Sequence, residues 1–194
     1  MYTANLFLYS IIVIFTIFEI FMMIYLIEHF ICIHVLHQVP FVTTPKQTMK
    51  LIVKEIIKNY PNTKYICEIG SGYGSMARFI GKKTGANIIA LENMPFSVFF
   101  SKIADLFQTK SKTIKCDAFQ FLSETKQKFD IGIAYLSPTA SNELLKYKNK
   151  IKTLITLDFA INGLKPTKTI NVGHGYTYYN HKQYPHKIFI YDFE

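Results

Sequence analysis

The sequence predicts an α/β protein, a mostly parallel sheet with helices on both faces, preceded by one N-terminal transmembrane helix. Three observations predict it. Residues 65–74, Tyr-Ile-Cys-Glu-Ile-Gly-Ser-Gly-Tyr-Gly, run from a short apolar strand into three alternating glycines. Ala86–Glu92 and Thr113–Asp117 repeat the pattern of an apolar strand ending on a carboxylate, with a helix-forming segment between them. Leu6–Ile27 is almost wholly apolar with Glu19 its only charge, and its length matches the roughly 20 residues that cross a bilayer. Strand, glycine turn, helix, strand is a Rossmann-like order. The expected division is 1–38 for the membrane helix and juxtamembrane segment and 39–194 for the α/β domain.

In chain order, the apolar run comes first. A cleaved signal peptide fits it poorly, because no Lys or Arg precedes the run, the run is long, and no small-x-small cleavage site follows. Glu19 costs about 2.5–3.5 kcal/mol near a helix centre, so it is expected to face a partner helix or the interface. A helix lying flat in the interface is the competing reading. Lys46, Lys50, Lys54 and Lys58 follow the run, so the positive-inside rule leaves the rest of the chain in the cytoplasm. Glu28, His29, His34 and His37 fall near the exit; a histidine cluster at this spacing can bind metal, but no carboxylate or Cys clearly completes the set, and they are read as interfacial polar residues.

Thr44, Pro45 and Gln47 read as N-cap, N1 and N3 of a helix that runs to about Asn59 before Pro61. Its four lysines recur every fourth residue and form one stripe, suited either to solvent or to anionic headgroups.

Tyr65, Ile66, Cys67 and Ile69 suit a strand buried on both faces, after which the chain turns into the helix around Met76–Ile80. Gly70, Gly72 and Gly74 let the backbone turn sharply and let a ligand lie against it beside a helix N-terminus. A dinucleotide site has the spacing G-x-G-x-x-G, whereas this one is G-x-G-x-G with Glu68 two residues ahead. Glu68 repels phosphate and suits a ligand with a cationic amine. Glu92 ends the next strand about 20 positions on, where a carboxylate can accept from both hydroxyls of a ribose. Pro95 opens a helix over Phe96–Phe107, and Asp117 ends the third strand.

Phe129–Leu136 reads as the fourth strand, running into Ser137-Pro138, so Tyr135, Leu136, Ser137 and Pro138 are expected to border the reaction site at the carboxyl ends of the strands. Ser141–Lys148 reads as a short polar helix and Ile151–Asp158 as a fifth strand. A looser stretch with Gly173 and Gly175 follows, and His186–Asp192 closes as an antiparallel strand.

The formal charge of +9 suits a membrane surface or nucleic acid. The membrane segment argues against nucleic acid. Cys32, Cys67 and Cys116 each sit in an apolar run and read as buried thiols, which suits a reducing compartment.

Glu68-Ile-Gly-Ser-Gly-Tyr-Gly74 resembles motif I of class I S-adenosylmethionine-dependent methyltransferases. With the N-terminal membrane helix, the Pro-Phe-Val-Thr-Thr-Pro-x-Gln lead-in at 40–47, Glu92 and a compact C-terminal half, the chain resembles the membrane-anchored protein-lysine methyltransferases of the ATP synthase c subunit and their prokaryotic relatives. That resemblance implies a class I methyltransferase sheet and S-adenosylmethionine as cofactor, held by Glu68, Gly70, Gly72, Gly74, Glu92 and, at the adenine amine, Asp117. It also implies methylation of a lysine in a membrane-protein substrate. Such a methyl transfer is an in-line displacement that requires no metal, and Tyr135 or Ser137, at the end of the fourth strand, is expected to orient the amine. Asp158-Phe-Ala-Ile-Asn162 stands where Phe-Pro and Trp features are expected, so the substrate is the weakest carry-over. A methyltransferase acting on a lipid or prenylated quinone, and a non-catalytic assembly factor with this fold, are the alternatives.

Overall fold

A computed structural model describes residues 2–34, 42–108, 110–176 and 183–193. The chain divides into two compact units, Met1–Phe41 and Val42–Glu194. The expected boundary between 38 and 39 lies outside the described residues.

The first unit is one helix, α1 (Tyr2–His34). From Phe7 to Ile31 it is long and apolar enough to cross a membrane, and none of that stretch is buried by protein. Consecutive residues from Phe7 to Tyr9 and Ile12 to Phe15 are exposed, so the apolar surface runs right round the helix rather than along one stripe. The side chains of Cys32 and His34, and all of His37, lie outside the described set.

The second unit runs α2 (Lys46–Asn59), β1 (Tyr65–Ile69), α3 (Ser75–Thr84), β2 (Asn87–Glu92), α4 (Pro95–Asp105) and β3 (Ser111–Lys115). It continues with α5 (Ala118–Glu124), β4 (Phe129–Ala134), α6 (Pro138–Glu143), a 3-10 turn (Leu144–Tyr147), β5 (Ile151–Leu157), β6 (Lys168–Tyr176) and β7 (Gln183–Asp192). The seven strands lie in the order β3-β2-β1-β4-β5-β7-β6. β1 to β5 are parallel, and β7 is antiparallel to both β5 and β6. Chain order reverses between β1 and β4, so the carboxyl ends of these two strands open the crevice where α/β sheets bind ligands.

Ile66, Ile88, Ile131, Ile133, Ile155 and Ile190 pack under α2 and α3 on one face of the sheet. Cys67, Ile69, Leu91, Leu154 and Tyr191 join Leu122 of α5 and Leu144 of the 3-10 turn in the core on the other. Strands buried on both sides need mostly apolar residues, and the central parts of β1, β2, β4 and β5 supply them, with Glu68 of β1 the buried charged exception.

The structure differs from expectation in four places. Pro45 rather than Thr44 is the N-cap of α2, and no side chain caps the helix; Gln47 instead donates to the Val172 carbonyl of β6 at 3.2 Å. α4 ends at Asp105, leaving Leu106 and Phe107 in a turn. Pro138, with φ already set for a first helical turn, starts α6 three residues before Ser141. The stretch around Gly173 is strand β6, not a loose segment: Gly173 at φ +104° sits at a register shift against β7, where a bulge absorbs the extra residue. Lys168 at the start of β6 also forks onto the buried Glu55 of α2, at 2.7 and 2.9 Å.

Candidate cofactor site

β1 ends at Ile69, and the chain turns through Gly70, Gly72 and Gly74 at φ +71°, +54° and +67°. Gly70 and Ser71 both donate to the Leu91 carbonyl at 3.0 Å, and Gly74 donates back to Ser71 at 2.9 Å. These bonds hold the turn above β2. A side chain at Gly70 would combine a left-handed backbone with a Cβ 2.8 Å from the Leu136 side chain. Leu136, just past β4, therefore lies against the glycine loop at Gly70.

Glu92 does something the sequence did not suggest. Its Oε2 accepts from the Gly72 N–H at 2.6 Å, and its Oε1 accepts from the N–H groups of Asn93 and Met94, each at 2.8 Å. The carboxylate expected to grip a ribose thus also ties the glycine loop to the end of β2. Each oxygen keeps acceptor capacity beyond these bonds.

Glu68 stands beneath the loop, 3% exposed. Its Oε2 and the hydroxyl of Ser71 are buried and have no hydrogen-bond partner. Burial pushes the Glu68 carboxyl up to about 8; the Ala77 backbone and Arg78 oppose this, and Glu92 adds to it. An unpartnered carboxylate oxygen costs about 1–3 kcal/mol or more, which a cationic donor would offset.

Asp117 is the N-cap of α5 and accepts from the Gln120 N–H at 2.9 Å, a role the expected strand end did not include. It stands beside Glu92, because the Cys116 N–H donates to the Glu92 carbonyl at 3.0 Å. Glu68, Gly70, Gly72, Gly74, Glu92 and Asp117 are thus gathered along the carboxyl ends of β1, β2 and β3.

Tyr135 and Ser137 follow β4. The Tyr135 hydroxyl donates to Asp158 Oδ2 at 2.6 Å, so what it offers an amine is its oxygen lone pairs. Burial, then the hydrogen bond and charge of Asp158, push its ionisation well above the ordinary phenol range. Ser137 caps α6, accepting from the Ala140 N–H at 3.4 Å, and keeps its own O–H as a donor.

Asp158 and His186 were not foreseen. Asp158, just past β5, has φ +63°, left-handed for a residue with a side chain. Its Oδ2 also lies 2.7 Å from His186 Nδ1, and its Oδ1 accepts from the Lys187 N–H at 3.2 Å. A carboxylate at a strand end was the available signal, the same one that picked out Glu92. His186 carried none, since only the antiparallel pairing of β7 with β5 brings it there.

Among the described residues no group of three His, Cys, Asp or Glu side chains is placed to hold a metal. Cys67 is a buried free thiol, pushed up by burial first and by Cys116 and Glu68 after it; Cys116 is free and only partly buried.

No family model matches the sequence, and no curated protein matches it. Solved structures do match the fold. An RNA methyltransferase from Salinibacter ruber, crystallised with S-adenosyl-L-homocysteine, superposes with a TM-score of 0.62 over 78% of this chain and 94% of its own, at 15% identity. Precorrin-6y C5,15-methyltransferase from Geobacter metallireducens does so at 0.59, over 79% and 91%, at 13% identity. The fold is that of the class I S-adenosylmethionine-dependent methyltransferases. Precorrin 8w decarboxylase from Methanobacterium thermoautotrophicum matches similarly, with a TM-score of 0.57 over 78% and 92%, at 14% identity. Function on such a sheet must therefore be argued from its site residues.

Proposed function

We propose that this chain is a membrane-anchored S-adenosylmethionine-dependent methyltransferase that methylates a lysine side chain of a membrane protein, with the domain at 39–194 on the cytoplasmic side. The observation that carries the cofactor reading is Glu68: a buried carboxylate with an unpartnered oxygen, set under a glycine turn at the crevice between β1 and β4. That combination suits a ligand with a cationic amine that lies against backbone. Glu68 would hold the amine, Gly70, Gly72 and Gly74 the close backbone approach, Glu92 the ribose and Asp117 the adenine amine. S-adenosylmethionine, when bound, supplies a methyl group activated by its sulfonium.

The chain's own residues then have three tasks. The glycine loop, tied down by Glu92 and with Leu136 against it at Gly70, fixes the position of the donor. The apolar ends of β4 and β5 exclude water and favour the neutral form of a lysine amine, the form that attacks. Tyr135, its proton committed to Asp158, accepts from an amine N–H and orients the lone pair; Ser137 borders the same end of β4. The apolar α1 and the lysines that follow it support an anchored enzyme with a substrate in or at the bilayer.

The test is transfer of a tritiated methyl group from S-adenosylmethionine into membranes from a strain lacking the protein, with lipid then separated from protein. The proposal expects one labelled protein band whose label maps to lysine. Label in the organic phase would replace it with a lipid or quinone substrate. Cofactor binding without transfer would leave the non-catalytic assembly factor.

A further inference from the structure

The glycine loop lies at one end of the domain, and α4 carries a second feature that the reaction does not use. Phe99, Ile103, Leu106 and Phe107 are 51%, 41%, 81% and 86% exposed. They lie on α4 and the turn after it; Phe99 meets Phe100 edge to face, 5.3 Å between centroids, and Phe100 meets Tyr73 of the glycine loop edge to face at 6.4 Å. The charges around them have one sign. Lys82, Lys83, Lys102, Lys110 and Lys112 are all exposed. Gly81 lies against the Lys110 backbone, so the basic end of α3 joins the same edge. From Ser75 to Cys116 the only carboxylates are Glu92 and Asp105. Glu92 is held by three N–H groups, and Asp105 by Ser111, Thr113 and Arg78.

We infer that α4 and the turn after it dock on an anionic bilayer surface, with Leu106 and Phe107 inserted among the acyl chains and the lysines on the headgroups. This rests on the membrane-anchored reading of α1. Exposed Leu and Phe on an edge that also carries exposed lysines is the two-part chemistry of an interfacial lipid site, apolar insertion plus attraction to anionic headgroups. A nucleic acid would use the lysines and could stack bases on Phe99 and Phe107, but would leave Ile103 and Leu106 in water, whereas acyl chains cover all four. Only seven residues, 35–41, join α1 to the domain, at most about 25 Å of extended chain, so an inserted α1 keeps the domain near lipid.

The chain contains no tryptophan, so a single Trp reports its own surroundings. Full-length Phe107→Trp and, separately, Phe15→Trp are reconstituted in vesicles of phosphatidylcholine with phosphatidylglycerol, with and without brominated acyl chains. The inference expects Phe107→Trp emission to shift to the blue and lose at least half its intensity to bromine, less in phosphatidylcholine alone. Phe99→Trp is expected to repeat the result at a second position. Emission typical of water at both sites, with Phe15→Trp strongly quenched, would overturn the docking surface and leave the anchor standing. An unquenched Phe15→Trp would overturn the anchored reading and the inference with it. A Phe107→Trp shift produced by RNA or by raising protein concentration in detergent, and not by anionic vesicles, would also overturn the inference.

Discussion

Two carboxylates stand at the carboxyl ends of the sheet, the buried Glu68 in β1 and the half-buried Asp158 just past β5, and they are treated in opposite ways. Asp158 is surrounded by donors: the Tyr135 hydroxyl, the His186 ring and the Lys187 N–H. Its left-handed backbone is held by those bonds. Glu68 has an oxygen with no donor at all. The difference separates a group whose partners are all in the fold from one that lacks a partner the fold does not supply. Asp158 is a strut that positions Tyr135, and Glu68 is half of a binding contact.

The largest effect expected from breaking this arrangement is at Gly70. Gly70→Val adds a branched side chain at φ +71° and drives it into Leu136, so the loop that leads from Glu68 to α3 must move. Affinity for S-adenosylhomocysteine is expected to fall on the order of a thousandfold, about 4 kcal/mol, in a calorimetric titration. Next is Asp158→Ala, which removes the acceptor of both Tyr135 and His186 and is expected to cost about 3 kcal/mol in denaturant unfolding. Asp158→Asn keeps the residue type that best tolerates the left-handed region and should cost about 1 kcal/mol, with cofactor affinity close to wild type in both variants. If Asp158→Ala lost affinity as Gly70→Val does, the contrast between strut and binding contact would collapse.

The pH dependence sharpens it further. Glu68 is raised from 4.5 to about 8 in the folded chain, so the folded state holds a proton that the unfolded state releases over that range. The stability of the ligand-free protein should therefore decline as pH rises from about 4.5 to 8 and level off above, a loss of a few kcal/mol. Glu68→Gln, measured by denaturant midpoint at pH 5 and pH 9, is expected to remove most of that slope. The smallest effect belongs to Ser137→Ala: a cap accepting at 3.4 Å is a weak one, so a loss of about 0.5 kcal/mol in thermal unfolding is expected.

What was legible in the sequence follows from how local the signal is. The apolar runs of β1, β2, β4 and β5, the alternating glycines and Pro95 each act on their own neighbourhood, and the parallel sheet and its glycine turn follow from them. β6 was not legible, because Lys168–Tyr176 has glycine where a strand is weakened, and its pairing is set by the bulge against β7. The cap of α2 failed for a similar reason: Thr44 and Gln47 fit the spacing, but Gln47 is drawn to a carbonyl 125 residues away. Glu68 could be picked out by position alone, yet its missing partner is a fact of burial. The Tyr135, Asp158 and His186 contact joins the ends of β4 and β5 to a residue within β7 and is invisible before the sheet is assembled.

The most direct test of the central claim, that Glu68 is a binding contact lacking its cation, is the proton count on cofactor binding. S-adenosylhomocysteine is titrated calorimetrically at pH 6.5 in two buffers of different ionisation enthalpy. At that pH the ligand amine is protonated, and so is Glu68 in the free protein. Meeting the cation requires the carboxyl to ionise, so release of close to one proton per ligand is predicted, together with its loss in Glu68→Gln. Binding with no proton released, or with the same release in Glu68→Gln, would contradict the account.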